Sequence, residues 1–197
     1  MSTQAEGVTR ARHIIIEMVR TAVQVLVLFL LISAVIGRFE IHQISMEPNF
    51  HEGQRVIVSK LNRIWDTLLV QTAHAAAPGS SPFAPGRGEV VVFYPPNGSG
   101  DALIKRVIGV PGDTIELRDN LVYVNGQLLD EPYINGQPTY CNNYCKPLKL
   151  EAGMFFMMGD NRPSSLDSRN FGPVPSDRLI GRVVMRYWPL DQLQIYP

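Results

Sequence analysis

Hydrophobic residues are concentrated in one uninterrupted run near the start of the chain. Residues 21–36, TAVQVLVLFLLISAVI, include no charged side chain. A helix of this length spans about 24 Å, slightly less than the hydrocarbon core of a bilayer, and Arg20 and Arg38 can snorkel at its two ends. No small-x-small cleavage site follows the run, which disfavours a cleaved signal peptide. The pattern predicts an uncleaved transmembrane anchor over residues 14–37, since a segment that is apolar all round and lies at the terminus is a poor fit for a buried core helix.

Basic residues are more frequent before this anchor than after it. Arg10, Arg12 and Arg20 precede the apolar run, and Arg38 follows it. The cytoplasmic flanks of membrane spans are enriched in basic residues. We therefore expect residues 1–13 to be cytoplasmic and the rest of the chain to lie outside the cytoplasm.

After the anchor, the hydrophobic pattern changes to short alternating runs separated by turn residues, which is typical of β structure. A charged fraction of 18%, with 16 Gly and 15 Pro, favours the same class. We expect a mostly β fold in which a small β domain, residues 114–150, is inserted into a core formed by residues 38–113 and 151–197. Strands are expected near residues 39–44, 54–60, 89–96, 102–113, 154–158 and 179–190.

An irregular stretch, residues 61–88, separates the second and third of these strands. Its first half is apolar and its second half is rich in Ala, Pro, Gly and Ser. It is either a surface insertion or a flap that dips into the membrane interface. The sequence Thr-Ala-His-Ala at residues 72–75 also resembles a site for cleavage after small residues, so self-cleavage after Ala75 is a further hypothesis.

Charge and cysteine content restrict the possible partners. The 18 basic residues balance the 18 acidic ones, so nothing in the composition indicates a nucleic-acid partner. Cys141 and Cys145 are the two cysteines of the chain. Outside the cytoplasm this pair is a disulfide candidate, with free thiols as the alternative, whereas a metal site would need further ligands.

One serine lies between two histidines in IHQISMEPNFH, residues 41–51. In a strand through Ser45, His42 is an odd number of positions away and points to the opposite face. His51 follows a proline, and no segment that could orient its ring with a carboxylate is evident. If Ser45 is a nucleophile, we therefore expect a base other than these histidines.

A lysine among apolar residues is the second candidate for chemistry. In ALIKRVIG, strand alternation places Lys105 and Arg106 on opposite and otherwise apolar faces, so one of the two cations must be paired or buried. Burial lowers the pKa of a lysine by up to about 3–5 units, which makes it a general base near neutral pH. The alternative is a lysine that snorkels from an edge strand.

Three motifs together resemble one protein family. SMEP at Ser45, KRVIGVPGD at Lys105 and GDNRPSSLDSRNFG at residues 159–172 follow one N-terminal anchor in this order. They resemble the type I signal peptidases, membrane-bound serine proteases with a Ser/Lys dyad, over nearly the whole chain. The resemblance implies a signal-peptidase-like β catalytic core that removes signal peptides from secreted preproteins at A-x-A sites, without a metal or cofactor. It implies a plasma (inner) or thylakoid-type membrane, and partners that include preprotein signal peptides, membrane lipid and the translocation machinery.

The resemblance also implies roles for individual residues. Ser45 is the nucleophile, Lys105 is the general base, and Ser165 orients the lysine. The oxyanion hole would use the backbone N–H of Ser45, with Gln43 where many members of the family carry Ser or Gly. A supporting network is expected from Arg106, Asp160, Asp167 and Arg169. Substrate pockets are expected from Phe39, Ile41, Met46, Phe50, Val56, Val92, Leu103 and Ile104.

Two other functions stay open on the sequence. A related Ser/Lys maturation protease with one dedicated substrate would carry the same motifs. An anchored β module that binds preproteins without cutting them is disfavoured, because both Ser45 and Lys105 are present.

Overall fold

A computed structural model of the chain describes residues 2–61, 84–96, 98 and 100–196, with side chains from residue 12 onward. The chain divides into two units, Met1–Ile36 and Gly37–Pro197. Most of the predicted flap, and the sequence around Ala75 with it, lies outside the described residues, so both hypotheses about it stay predictions.

The first unit is a single helix, α1, over Ser2–Val35. Within it, the stretch Arg12–Val35 is long and apolar enough to cross a membrane, and none of its most apolar part is buried within the structure. Besides Arg12, this stretch contains the charged residues Glu17 and Arg20. They lie about one turn apart, and Arg20 Nη1 is 3.9 Å from Glu17 Oε1. The predicted apolar N-terminal helix is confirmed, and its helical structure begins earlier in the chain than residue 14.

The second unit is built almost entirely from β-strands, which confirms the predicted fold class. In chain order the strands are β1 (Ile36–Glu40), β2 (Arg55–Ser59), β3 (Val90–Phe93), β4 (Leu103–Gly109), β5 (Thr114–Arg118), β6 (Leu121–Val124), β7 (Gln127–Leu128), β8 (Leu148–Lys149), β9 (Met154–Met158), β10 (Val174–Pro175), β11 (Leu179–Trp188) and β12 (Gln194–Ile195). A short helix, α2 (Ser168–Phe171), precedes β10.

The larger sheet has the strand order β1-β2-β11-β3-β4-β9-β10, and β12 pairs with β11. Its long central strand β11 pairs antiparallel with both β2 and β3. Strand β4 lies between β3 and β9, where Lys105 is opposite Val91 and Arg106 is opposite Met158. The two candidate cations are therefore carried by an interior strand, which excludes the edge-strand alternative for Lys105.

The smaller sheet has the order β7-β6-β5-β8 and is formed by residues 114–149. Its two hairpin turns carry positive φ angles at Asp119 and Asn120, and at Asn125 and Gly126, as tight two-residue turns require. The sheet shares a hydrophobic core with the larger one: Ile108, Leu150, Phe156 and Met158 pack with Ile115, Leu117, Val122 and Val124. The division into a core and an inserted domain stays a prediction, because residues 37–197 form one compact unit.

The first predicted strand is placed differently in the structure. We expected a strand over residues 39–44, but β1 ends at Glu40. The chain then turns, with hydrogen bonds from the Glu47 amide to the Ile44 carbonyl and from the Phe50 amide to the Met46 carbonyl. The premise that Ser45 lies in a strand was therefore wrong. Ser45 belongs to this turn, so strand alternation does not decide where His42 points.

Candidate active site

The Ser45 hydroxyl and the Lys105 ammonium lie in direct contact. Lys105 Nζ donates to Ser45 Oγ at 2.5 Å and to the Ile104 carbonyl at 3.0 Å. Lys105 is fully buried, and Ser45 is 4% exposed. The turn that follows β1 carries the serine and the interior strand β4 carries the lysine, so two segments sixty residues apart form the pair. The contact gives the serine proton an acceptor once the lysine is neutral.

Burial lowers the pKa of Lys105 from its usual 10.5 to about 8. Loss of hydration disfavours the ammonium form, which is the largest effect. The carboxylates of Asp167 and Asp160 act in the opposite direction, while the nearby Arg169 lowers the pKa further. The pKa is less depressed than burial alone suggests, because the acidic side chains stabilise the ammonium.

Neither histidine of the opening motif contacts the serine hydroxyl. His42 is exposed, and the His51 ring lies 3.4 Å from the Glu47 carboxylate, with half of its side chain in solvent. A carboxylate beside His51 was not expected from the sequence, since it comes from within the same turn. The exclusion of both histidines as the partner of Ser45 nevertheless agrees with the geometry.

A polar loop, residues 159–167, connects β9 to α2 and packs directly against the turn that carries Ser45. The Asn161 amide donates to the Ser45 carbonyl at 3.0 Å. Gly159 lies so close that an added Cβ would be 2.4 Å from the same carbonyl oxygen and 2.3 Å from Ser165 Oγ. Glycine is required at this position for close approach of the two backbones. The loop thus fixes the backbone of the nucleophile.

The first ion pair of the loop joins it to β4. Arg106 donates from Nε and Nη2 to the two carboxylate oxygens of Asp160, at 2.8 and 2.6 Å. Asp160 is fully buried and also accepts from Asn49 at 2.8 Å. Because Arg106 is the neighbour of Lys105 and Asn49 follows Ser45 in the same turn, this carboxylate ties together the strand, the turn and the loop.

The second ion pair joins the last residue of the loop, Asp167, to Arg169 of α2, and Asp167 also caps that helix. Arg169 donates from Nε and Nη2 to Asp167, at 2.9 and 2.8 Å, and both side chains are buried. Asp167 also accepts from the Gly159 amide at 3.1 Å. Ser168 Oγ accepts from the Met157 amide at 3.0 Å, which joins the start of α2 to β9. The four residues of the expected network thus form two bidentate pairs near the dyad, and both carboxylates are fully buried.

Ser165 lies beside the dyad without a hydrogen-bonded partner among the described residues. Its Oγ is buried and occupies the space that a Cβ at position 159 would need. The hydrogen bond to Lys105 that the family resemblance implies is not made in this structure. The orienting role of Ser165 therefore stays a prediction.

A cleft of about 520 Å³ lies beside the dyad. Six of the eight residues expected to form the substrate pockets line it: Phe39, Ile41, Val56, Val92, Leu103 and Ile104. The other two, Met46 and Phe50, are fully buried in the adjoining hydrophobic core and are not brought into the cleft. Gln43 is exposed and lines the cleft two residues before the nucleophile. Within the described part of the chain, the Ser45 amide donates to no protein acceptor.

Cys141 and Cys145 are joined in a disulfide. The loop they close lies against α2, since the Asn143 amide donates to the Arg169 carbonyl at 2.9 Å and Asn143 Nδ2 donates to the Asn170 carbonyl at 2.8 Å. The disulfide loop thus contacts α2, the helix that follows the polar loop.

Comparison with known proteins places these features in one family. Residues 15–188 match the family model described as "Signal peptidase, peptidase S26". The chain belongs to this family. Its relatives include a "Probable signal peptidase I-2" of Synechocystis sp., 37% identical over 155 residues, which make up 76% of this chain and 62% of that protein. A "Signal peptidase IB" of Staphylococcus aureus is 31% identical over 188 residues, 88% of each chain. A solved signal peptidase I from Enterococcus faecalis V583 is 35% identical, with a TM-score of 0.42, and covers 50% of this chain and 95% of that one.

Sequence reasoning missed part of the buried network around Ser45 and Lys105. Arg162 is fully buried and pairs with Glu131, and Thr139 accepts from the same guanidinium. Glu131 and Thr139 come from the segment between β7 and β8, which is distant in sequence from the loop. No local pattern identifies such a pair, although a polar segment following an apolar strand indicated that partners must exist for its charges.

Proposed function

We propose that this chain is a membrane-anchored serine endopeptidase that removes N-terminal signal peptides from secreted preproteins, with Ser45 as nucleophile and Lys105 as general base. The observation that carries the proposal is the 2.5 Å contact between Lys105 Nζ and Ser45 Oγ. It occurs in a buried setting where the pKa of the lysine is lowered to about 8. A neutral lysine is thus accessible near physiological pH, as a general base requires.

In the acylation step, neutral Lys105 takes the hydroxyl proton while Ser45 Oγ attacks the carbonyl carbon of the scissile peptide bond. The resulting tetrahedral intermediate carries its negative charge on the former carbonyl oxygen. When the C–N bond breaks, the Lys105 ammonium donates the proton to the departing amine. The mature protein leaves with a new N-terminus, and the signal peptide stays esterified to Ser45.

In the deacylation step, the same lysine is neutral again and takes a proton from water. The hydroxide attacks the ester carbonyl, and the ammonium returns the proton to Ser45 Oγ as the ester bond breaks. The signal peptide leaves with a new carboxylate. One base serves both halves of the reaction, so no other titrating group is needed between the two steps.

The Ser45 amide and the Gln43 side chain are the proposed donors to the oxyanion. The amide is free of protein acceptors within the described part of the chain, and Gln43 is exposed at the edge of the cleft. Donors preorganised at the position of the developing charge lower the barrier because they need no reorganisation during the reaction. Gln43 would supply with its carboxamide the hydrogen bond that the serine hydroxyl gives in many members of the family.

The cleft supports recognition of small apolar residues before the cut. Its apolar lining comes from β1, β2, β3 and β4 on one side of the dyad. A peptide that carries small residues at alternate positions can lie extended along such a surface, while large side chains would clash. This property favours A-x-A sites in signal peptides.

The anchor supports action at a membrane surface. Helix α1 can span a bilayer by its length and composition. The excess of arginine before the span favours a cytoplasmic N-terminus, which places residues 38–197 on the extracytoplasmic side of a plasma (inner) or thylakoid-type membrane. Signal peptides emerge at that side, so lipid and the translocation machinery are the expected neighbours of the enzyme.

A panel of unrelated preproteins tests the proposal. The full chain in detergent micelles should cleave several of them directly after A-x-A, as shown by the masses of both products. Ser45→Ala should cleave none. Cleavage of one preprotein alone would favour the maturation protease with a dedicated substrate. Binding without cleavage by the unaltered chain would contradict the proposal.

A further inference from the structure

Glu131 is buried against the loop that holds the nucleophile. Its carboxylate accepts from both terminal nitrogens of Arg162, and the two side chains are 6% and 0% exposed. Arg162 in turn donates from Nε to the Gly159 carbonyl at 3.0 Å. Asn161, the neighbour of Arg162, donates from its amide to the Ser45 carbonyl at 3.0 Å. A continuous series of contacts therefore links Glu131 to the backbone of the nucleophile.

The same segment reaches the other two parts of the site through Tyr133. Tyr133 Oη donates to Glu131 at 2.9 Å, and the Arg106 guanidinium lies 4.1 Å above its ring. The Tyr133 carbonyl accepts from Asn49 at 2.8 Å. Residues 131–133 thus contact the loop, the strand of the lysine and the turn of the serine. They do so from outside the larger sheet.

We propose that Glu131 is a positioning residue for the dyad, which holds Arg162 and the polar loop, residues 159–167, in the geometry that keeps Ser45 in contact with Lys105. This inference rests on the proposed peptidase function and deepens it. Glu131 touches neither member of the dyad. Its effect passes through the arginine, because a buried guanidinium without its carboxylate must either move toward water or disturb the loop.

The structure separates this positioning from substrate binding. The cleft is lined by residues 38–43, 101–104, Val56 and Val92, and none of them contacts Glu131 or Arg162 through a hydrogen bond. Loss of the carboxylate should therefore slow the chemical steps and leave substrate affinity nearly unchanged. A misplacement of about 1 Å at a reacting group costs about 100-fold in rate.

The pH profile should also change. The polar loop and α2 bring Asp160, Asp167 and Arg169 close enough to Lys105 to affect its pKa. With Glu131 neutralised, the uncompensated charge of Arg162 disfavours the ammonium, and any retreat of the two aspartates acts in the same direction. The acid limb of the rate profile should move to lower pH.

The test compares Glu131→Gln with the unaltered chain on a quenched peptide that contains an A-x-A site. We expect kcat to fall about 10- to 100-fold and KM to change by less than about twofold. Thr139→Val, which removes a neutral acceptor from Arg162 with little change of shape, should lower kcat by a smaller factor. It keeps the proposal testable if the first variant does not fold.

Asp113→Asn is the matched control. Asp113 is 6% exposed and accepts from Arg87 and Asn125 at the start of the smaller sheet, and none of its hydrogen-bond partners in the described part of the chain belongs to the polar loop. Its kcat should stay near that of the unaltered chain. Full kcat and an unchanged pH profile in both test variants would overturn the inference, as would an equal loss of kcat in the control. If the unaltered chain cleaves the peptide no faster than Ser45→Ala does, the proposed function is wrong, and the inference about Glu131 is wrong with it.

Discussion

Replacement of Lys105 by methionine should change how the stability of the protein depends on pH. The lysine is fully buried, and its pKa is about 8 in the folded chain, below its usual value of 10.5. Since one pKa unit corresponds to about 1.36 kcal/mol, the folded state bears a penalty of about 3 kcal/mol wherever the lysine is protonated in both states. Methionine has a similar length and no charge, so it removes this penalty.

The direction of the effect follows from proton binding. Below about pH 8 the lysine is protonated in both states, and the penalty is present in full. Between about pH 8 and 10.5 the unfolded chain binds more protons than the folded one, so the folded state gains stability as the pH rises. Relative to Lys105→Met, the unaltered chain should therefore gain about 3 kcal/mol between about pH 7 and pH 10.5.

Urea titrations of the full chain in detergent micelles, followed by tryptophan fluorescence at several pH values, measure this difference. Ser45→Ala is the control, because it removes the hydroxyl partner but keeps the buried lysine, and it should retain the pH dependence. A difference between the unaltered chain and Lys105→Met that stays constant over this pH range would refute the assignment of a lowered pKa to Lys105.

Three further predictions concern the rate. The acid limb of kcat/KM should have an apparent pKa of about 8, set by Lys105, and His51→Ala should leave that limb in place; a limb that disappears in this variant would assign the base to the histidine. Asp160→Asn removes a carboxylate that raises the pKa of the lysine and leaves Arg106 without its partner, so the limb should move to lower pH; a shift to higher pH would contradict the electrostatic account. Gln43→Ala should lower kcat by about 100-fold with little change in KM, and an unchanged kcat would exclude Gln43 from the oxyanion hole.

The elements that depend on local pattern could be predicted from the sequence. The apolar run indicated the N-terminal helix, and the short alternating runs indicated most strands of the larger sheet. The residue types of Asp119, Asn120, Asn125 and Gly126 suit tight turns, because glycine, asparagine and aspartate adopt positive φ more readily than other residues. The choice of Ser45 and Lys105 came from the family resemblance, since neither residue has a local signal that fixes its role.

What could not be predicted depends on contacts between distant segments. The alternating pattern of residues 39–44 suggested a strand, but the backbone after Glu40 pairs only through Ile41 with Gln54 and Gly53 before it turns. Met46 and Phe50 pack in the hydrophobic core that adjoins the cleft, which the sequence did not indicate, and their role in a substrate pocket stays a prediction. These outcomes are decided by tertiary packing, which local propensity does not encode.

The pKa of Lys105 shows the same limitation. From its apolar neighbours in the strand, a fall by several units was expected, as burial alone produces. The structure gives about 8, because Asp167 and Asp160 approach from a loop more than fifty residues away. The lysine is therefore a base whose strength is set jointly by its strand and by the loop.

The central claim is that Ser45 and Lys105 together cleave the preprotein. The most direct test measures cleavage of one A-x-A preprotein by the full chain, by Ser45→Ala, by Lys105→Ala and by the double variant His42→Ala/His51→Ala. Both dyad variants should show no cleavage above the uncatalysed reaction, while the histidine variant should cleave at nearly the normal rate. Full activity in either dyad variant, or loss of activity in the histidine variant alone, would contradict the account.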